Sequence, residues 1–244
     1  MNDSLQSGRI TRLVVLLSAA AFLLSAGGRF AGAQPSAAPA APQAPRAAPA
    51  DVAAAKQRLG EAAIYRFNNA GALTHITIPD GADITADDVV LFSRLADLHT
   101  LHIFDCRSFN DEMIGHLTGL ECLRSLALTN SAITDAGVEK IVQSFPNLVE
   151  LDLSSNTNMT GAAMKQIASL AKLERLTLLQ NRFNDLNTRR LSKMPELRAI
   201  DLRGNMEAGD MTLEVVGKLP QLTALKHRST AVTDAGLELS LIHI

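Results

Sequence analysis

The sequence predicts an α/β solenoid, a stack of about seven strand–helix repeats of 24–25 residues whose short parallel strands form one concave sheet. The first observation is a recurring L-x-x-L-x-L segment, which opens at Leu73, Leu98, Leu123, Leu148, Leu173, Leu197 and Leu222. The second is a residue of helix-capping type 11 to 13 positions after each opening leucine. A fixed period in this range is typical of a solenoid, in which each unit buries its apolar face only against its neighbours.

The first 33 residues have the organisation of a secretory signal peptide. Arg9 and Arg12 precede an apolar run over residues 13–26, and small residues surround Ala33. The run is 14 residues long, which is shorter than the roughly 20 needed to cross a bilayer. We expect cleavage after Ala33 and a secreted or periplasmic protein, with an uncleaved membrane anchor as the alternative.

A linker and a cap are predicted ahead of the repeats. Residues 34–50 alternate Pro with Ala, which disfavours a helix or a central strand, so we expect a disordered, extended tether. From Asp51 to Phe67, apolar residues recur every three or four positions. This stripe predicts an N-terminal capping helix within residues 51–72 that covers the apolar end of the solenoid.

Each unit of the repeat domain, residues 73–238, is expected to contribute one parallel strand. The second and third apolar positions of a unit, such as Leu101 and Ile103, are two residues apart and therefore share a face of an extended chain. We expect that face to point into the core. The last unit departs from the pattern, with His227 at its third position.

Three residues beyond the third apolar position, several units carry a polar or thiol side chain with a predicted structural role. The residues in question are Cys106, Asn156, Asn181 and Asn205. A buried side chain at this point can satisfy backbone groups left over where the strand ends. Cys106 is accordingly interpreted as a core residue, and we expect both Cys106 and Cys122 to be free thiols.

The second half of each unit is predicted to be a short helix. The residues expected to cap the helix N-termini are Thr85, Asn110, Thr134, Thr160, Asn184, Asp210 and Thr233. In most units an apolar residue precedes the cap and can pack on the first helical turn. Gly209 precedes Asp210 instead, which makes that helix start the least regular.

The segments ITDAG at 133–137 and VTDAG at 232–236, together with the L-x-x-L-x-L-x-x-N/C core, resemble leucine-rich repeats of the ribonuclease-inhibitor-like and cysteine-containing type. This resemblance implies a horseshoe fold and a binding role. It also implies an alternative, the substrate-recognition subunit of an F-box-type ubiquitin ligase. Family members of that kind carry an F-box ahead of the repeats, where this chain has the predicted signal peptide and the Pro/Ala tract.

The last residues do not continue the repeat pattern. After Gly236 the chain reads LELSLIHI, and Ser240 stands where the helical register expects an apolar residue. We therefore expect a C-terminal truncation within the seventh unit and regard residues 239–244 as a doubtful or foreign tail.

Side chains that alternate with the inward residues are expected to line the concave face. Those predicted to contact a partner are His102, Phe104, Glu150, Asp152, Arg175, Leu179, Asp201, Arg203, Lys226 and Arg228. Acidic residues stand in the middle and basic residues towards the late strands, an order that can orient a partner of mixed charge. Phe104 and Leu179 are the candidate apolar anchors.

Other chemistries find little support in the sequence. The formal net charge is −2, so there is no basic excess to neutralise the phosphates of a nucleic acid. His99 and His102 have opposite parity on a strand, and His75 with His102 lacks a third ligand in register, so we expect no metal and no cofactor. Motifs for a nucleophile elbow, a phosphate loop or a zinc-protease helix are missing from the sequence.

The leading hypothesis is a non-enzymatic protein–protein interaction module that binds an unknown protein on its concave face. We expect it to be a monomer that contacts neither nucleic acid nor, after signal cleavage, a membrane. Besides the F-box alternative, a third hypothesis makes the chain the recognition arm of a larger enzyme whose catalytic domain is missing.

Overall fold

The computed structural model describes residues 47–241. The predicted signal peptide, the linker up to residue 46 and residues 242–244 lie outside this range. The prediction of an α/β solenoid with a parallel sheet is confirmed. Within the described range, every helix is too short or too polar to span a bilayer.

Eight strands form one sheet, and their order in the sheet is their order in the sequence. The strands are β1 Ile64–Phe67, β2 Leu73–Ile78, β3 Thr100–Ile103, β4 Ser125–Leu128, β5 Glu150–Asp152, β6 Arg175–Thr177, β7 Ala199–Asp201 and β8 Ala224–Lys226. From β2 to β8 every pairing is parallel and in repeat register, so that Leu101 pairs with Ile76 on one side and Leu126 on the other. A sheet of this kind needs a crossover between consecutive strands.

A helix lies between each two consecutive parallel strands, one further helix precedes β1 and one follows β8. The helices are α1 Pro49–Leu59, α2 Ala86–Ser93, α3 Asp111–His116, α4 Asp135–Ser144, α5 Gly161–Ile167, α6 Asp185–Thr188, α7 Asp210–Gly217 and α8 Asp234–Leu241. A short 3-10 helix, Arg189–Lys193, continues α6. Between sheet and helices, columns of leucine and isoleucine such as Leu101, Leu126 and Leu151 are fully buried and form one continuous core. Helix α8 includes residues 239–241, the first part of the tail that the sequence analysis regarded as doubtful.

The predicted N-terminal capping helix of residues 51–72 is wrong beyond Leu59. Gly60 ends the helix with a left-handed φ of 63°, which costs glycine little because it has no Cβ. After one 3-10 turn, β1 pairs antiparallel with β2. The residues Ile64, Tyr65 and Phe67 favour a strand. The prediction of a helix rested on the spacing of the apolar residues, which is also compatible with a helical stripe.

The predicted linker is also too long by a few residues. Helix α1 begins at Pro49, inside the range 34–50 that was expected to be disordered. Proline is well accommodated there, because the first turn of a helix has no intrahelical acceptor for its missing N–H. The backbone N–H of Ala47 donates to the Asp97 carboxylate at 3.0 Å, which ties this segment to the repeat domain.

Five of the predicted helix caps are confirmed by a hydrogen bond from a backbone N–H in the first turn to the cap side chain. They are Thr85, Asn110, Thr134, Thr160 and Asn184. The prediction for Asp210 is wrong, because Gly209 is the cap and Asp210 is the first helical residue. Thr233 directly precedes α8.

The first helical residue of several units is an aspartate that accepts hydrogen bonds from the next unit. Asp111 accepts from the Thr134 backbone N–H at 2.9 Å and from its hydroxyl at 2.5 Å. Asp210 does the same for Thr233. A Cβ added to Gly137 would collide with the Asp111 carboxylate. The T-D-x-G motif is thereby explained: its aspartate supports the following unit, and its glycine makes room for the preceding aspartate.

Buried asparagines form a second ladder between units. The Asn156 side chain accepts from the Ser131 backbone N–H at 2.7 Å and donates to the Leu128 carbonyl at 2.8 Å. Asn181 accepts from the Asn156 backbone N–H at 2.8 Å, and Asn205 accepts from that of Phe183 at 3.1 Å. Each side chain satisfies buried backbone groups that no helix or strand would otherwise pair.

Candidate protein-binding face

Three rows of side chains run across the outer side of the sheet, which we call the concave face. The first row is His75, Thr100, Ser125, Glu150, Arg175, Ala199 and Ala224; the second is Thr77, His102, Ala127, Asp152, Thr177, Asp201 and Lys226. The third row follows one residue beyond the last inward residue of each unit and includes Phe104, Thr129, Ser154, Leu179, Arg203 and Arg228. All ten residues predicted to contact a partner fall on these rows. The structure therefore brings them to one surface.

A hydrogen-bonded chain crosses three strands of this face. The Nε2 atom of His102 lies 2.7 Å from the Ser125 hydroxyl oxygen, and that hydroxyl donates to the Glu150 carboxylate at 2.8 Å. Because the serine proton is directed at Glu150, Nε2 of His102 is the donor to Ser125. A Ser–His–Asp triad needs the opposite arrangement, in which the histidine accepts the serine proton. Burial lowers the pKa of His102, and the nearby Glu150 carboxylate partly opposes this effect.

Asp152, the central acidic residue of the second row, lacks a compensating cation among the described residues. One carboxylate oxygen accepts from the Ser154 backbone N–H at 2.9 Å and from its hydroxyl at 2.5 Å. Burial nevertheless raises the pKa of Asp152, against the effect of these hydrogen bonds. A cation from outside would therefore be stabilised here.

Asp201 and Arg203 pair with each other rather than presenting two free charges. The guanidinium of Arg203 donates through Nε at 2.9 Å and through a terminal nitrogen at 2.7 Å to the two Asp201 oxygens. Asp201 is only 8% exposed. These bonds raise the pKa of Arg203. The sequence register placed both residues on the face but could not show that they neutralise each other.

The remaining predicted contact residues are accessible. The ring of Phe104 packs edge-on against that of His102 at a centroid distance of 5.9 Å, and Leu179 is half-buried. Arg175, Lys226 and Arg228 are exposed and form no ion pair within residues 47–241. The face thus offers two partly apolar sites and several charges that are free to pair with a partner.

Strand β1 adds residues to this face that the sequence analysis missed. Ile64 pairs with Thr77 and Arg66 with His75, so both extend the concave rows by one strand. Together with Glu150 and residues of β2 and β3, they line an open cavity of about 430 Å³. The glycine at position 60 followed by an I-Y-R-F segment was the available signal for this strand.

The two cysteines are free, as predicted. Burial raises the pKa of the Cys106 thiol to about 12, which leaves it protonated and a poor nucleophile. Its sulfur lies 3.4 Å from the Thr129 carbonyl oxygen. Among the described residues, no three His, Cys, Asp or Glu side chains converge on a point where they could hold a metal ion.

Comparisons with known proteins agree with the fold. Models of leucine-rich repeats match residues 119–142 and 146–206. With the repeated strand–helix units, these matches identify the fold as a leucine-rich-repeat solenoid.

Several known proteins are similar to parts of this chain. A putative RNA-binding protein of Caenorhabditis elegans, EEED8.10, is 30% identical over half of this chain and 17% of its own length. The human U2 small nuclear ribonucleoprotein A' is 33% identical over 43% of each chain. A solved internalin structure from Listeria monocytogenes has a TM-score of 0.47 and 22% identity, over 62% of this chain and 41% of that one. The chain thus spans less than half the length of these relatives.

Proposed function

We propose that this protein is a non-enzymatic binding module that holds a partner protein on its concave face. The observation that carries the proposal is the presence on one face of residues of opposite charge, Glu150 against Arg175, Lys226 and Arg228. Two partly buried apolar side chains, Phe104 after β3 and Leu179 after β6, lie on the same face. Complementary charge gives specificity and orientation, while a few partly buried apolar groups supply most of the binding energy.

A protein partner is favoured over a nucleic acid by the charges of this face. Its centre carries Glu150 and the poorly compensated Asp152, which would repel a phosphate backbone. Two relatives have names that refer to RNA or a ribonucleoprotein. Binding to RNA by this chain would require a different surface.

We further propose a secreted or periplasmic location and repeats of the ribonuclease-inhibitor-like, cysteine-containing type. Support for the location comes from the order of charged, apolar and small residues in 1–33. The repeat type is supported by the buried Cys106, the asparagine ladder and the T-D-x-G helix starts.

Charge reversal tests the binding face. The structure favours Glu150→Lys with Lys226→Glu over variants of Arg203, since changing Arg203 would leave the buried Asp201 unpaired. We expect a loss of partner affinity of at least tenfold, measured by surface plasmon resonance. The matched control is Glu139→Lys with Lys165→Glu, two exposed helix residues. Equal affinity for both double variants would place the interface elsewhere.

A further inference from the structure

The cavity between β1 and β5 carries a positive and a negative group at opposite ends. Arg66 stands at the β1 end and Glu150 at the β5 end, with His75, Thr77 and Thr100 between them and Ile64 as an apolar wall. Arg66 and Glu150 line the same cavity, yet they form no ion pair with each other.

Each of these two groups has unused binding capacity within the described chain. The Arg66 guanidinium forms no hydrogen bond there, and the Thr74 hydroxyl donates to the backbone carbonyl of Arg66. Glu150 accepts from Ser125 through one oxygen, and the other oxygen is open. Burial and the charge of Arg66 lower the pKa of His75, which disfavours the charged form of its imidazole. Arg66 therefore remains the principal positive charge at its end.

The distance between the two ends is set by the sheet. Four steps separate β1 from β5, and neighbouring strands lie about 4.8 Å apart, so the backbones are about 19 Å apart. Both residues line the same cavity across this span. In an extended peptide, residues i and i+2 point to the same side and lie about 6.8 Å apart. Their own side chains cover the remaining distance.

We propose that this cavity binds an extended peptide segment of the partner protein that carries an acidic and a basic residue at positions i and i+2. The acidic side chain pairs with Arg66, the basic side chain pairs with Glu150, and the aliphatic part of the segment packs on Ile64. This inference rests on the proposed function, since it names the chemistry of the partner that the concave face would hold.

A displayed library of linear heptapeptides, selected on the immobilised full-length protein, tests the inference. We expect enriched peptides to carry one acidic and one basic residue separated by a single residue. A synthetic copy of an enriched peptide should lose at least tenfold in affinity for Arg66→Glu and for Glu150→Arg. It should regain affinity for the double variant, because the exchanged charges accept the same peptide in the opposite direction. The conservative variant Arg66→Lys should retain most of the affinity.

Three outcomes would overturn the inference: no enrichment, enriched peptides that lack either charge, or single and double variants that weaken binding alike. These failures are distinguishable from failure of the proposed function. A partner that still binds the concave face and is insensitive to Arg66→Glu would refute the bipolar cavity alone. If charge reversals at both ends of the face leave partner binding unchanged, both proposals fail.

Discussion

Replacing Asn156 by alanine should remove a large part of the stability of the solenoid. The side chain accepts from the Ser131 backbone N–H at 2.7 Å and its hydroxyl at 2.6 Å, and it donates to the Leu128 carbonyl at 2.8 Å. Asn156 is fully buried, so water cannot replace the lost partners. A buried polar group left unsatisfied costs about 1–3 kcal/mol. Three such groups give an expected loss of about 3–9 kcal/mol, a large share of the roughly 5–15 kcal/mol typical of a whole domain.

The assay is urea unfolding followed by far-UV circular dichroism. Asn158→Ala is the matched control, because this asparagine is two residues away, exposed, and without a side-chain hydrogen bond within the described residues. We expect it to change the free energy of unfolding by less than about 0.5 kcal/mol. If Asn156→Ala costs no more than this control, the asparagine ladder is not what joins the units.

Three further predictions concern the aspartate contacts between units, the buried Cys106 thiol and His102 on the concave face. Gly137→Ala should destabilise the protein by about 1–3 kcal/mol, because the new methyl group displaces the Asp111 carboxylate from Thr134. Gly115→Ala, where nothing lies within 4 Å, should instead stabilise it by up to about 1 kcal/mol, and thermal unfolding of both variants checks the contrast. Iodoacetamide at pH 8, followed by mass spectrometry, should label Cys122 in the native protein and Cys106 only after unfolding, since the pKa of Cys106 is about 12; equal labelling rates would contradict its burial. The pKa of His102, followed by NMR, should lie below 6.5 and fall further in Glu150→Gln, because the lost carboxylate had favoured the protonated ring. An unchanged or higher pKa in that variant would mean that the Glu150 carboxylate does not favour the protonated His102 ring.

The repeat pattern predicted the parallel sheet and the rows of the concave face because each side chain in a repeat has neighbours dictated by the period. The opening leucines and the alternation of inward and outward residues therefore determined which residues share a surface. At the N-terminal end there is no period. There the spacing of Ala63 and Phe67 is compatible with a helix. Gly60 nevertheless ends the helix, and the residues after it pair antiparallel with β2 as a strand.

The interactions within the face were less accessible to sequence reasoning. The repeat register placed Asp201 and Arg203 on the same face. Only the side-chain geometry shows that the guanidinium donates to both carboxylate oxygens, so that the two charges neutralise each other. Likewise, the T-D-x-G motif was visible as a helix start, but its role between units depends on Asp111 of the preceding repeat. The Asp111–Thr134 contact joins residues 23 positions apart, and the Asp201–Arg203 pair depends on the side-chain rotamers. A local sequence pattern carries no information on either.

Site-specific photocrosslinking tests the central claim, that a partner protein is held on the concave face, most directly. A benzophenone amino acid is placed at Phe104, on the concave face, or at Gln143, on helix α4, and the full-length protein is irradiated with its source extract. Our account predicts a discrete adduct from position 104 that excess unlabelled protein competes away, and none from position 143. A competed adduct from position 143 with none from position 104 would contradict it.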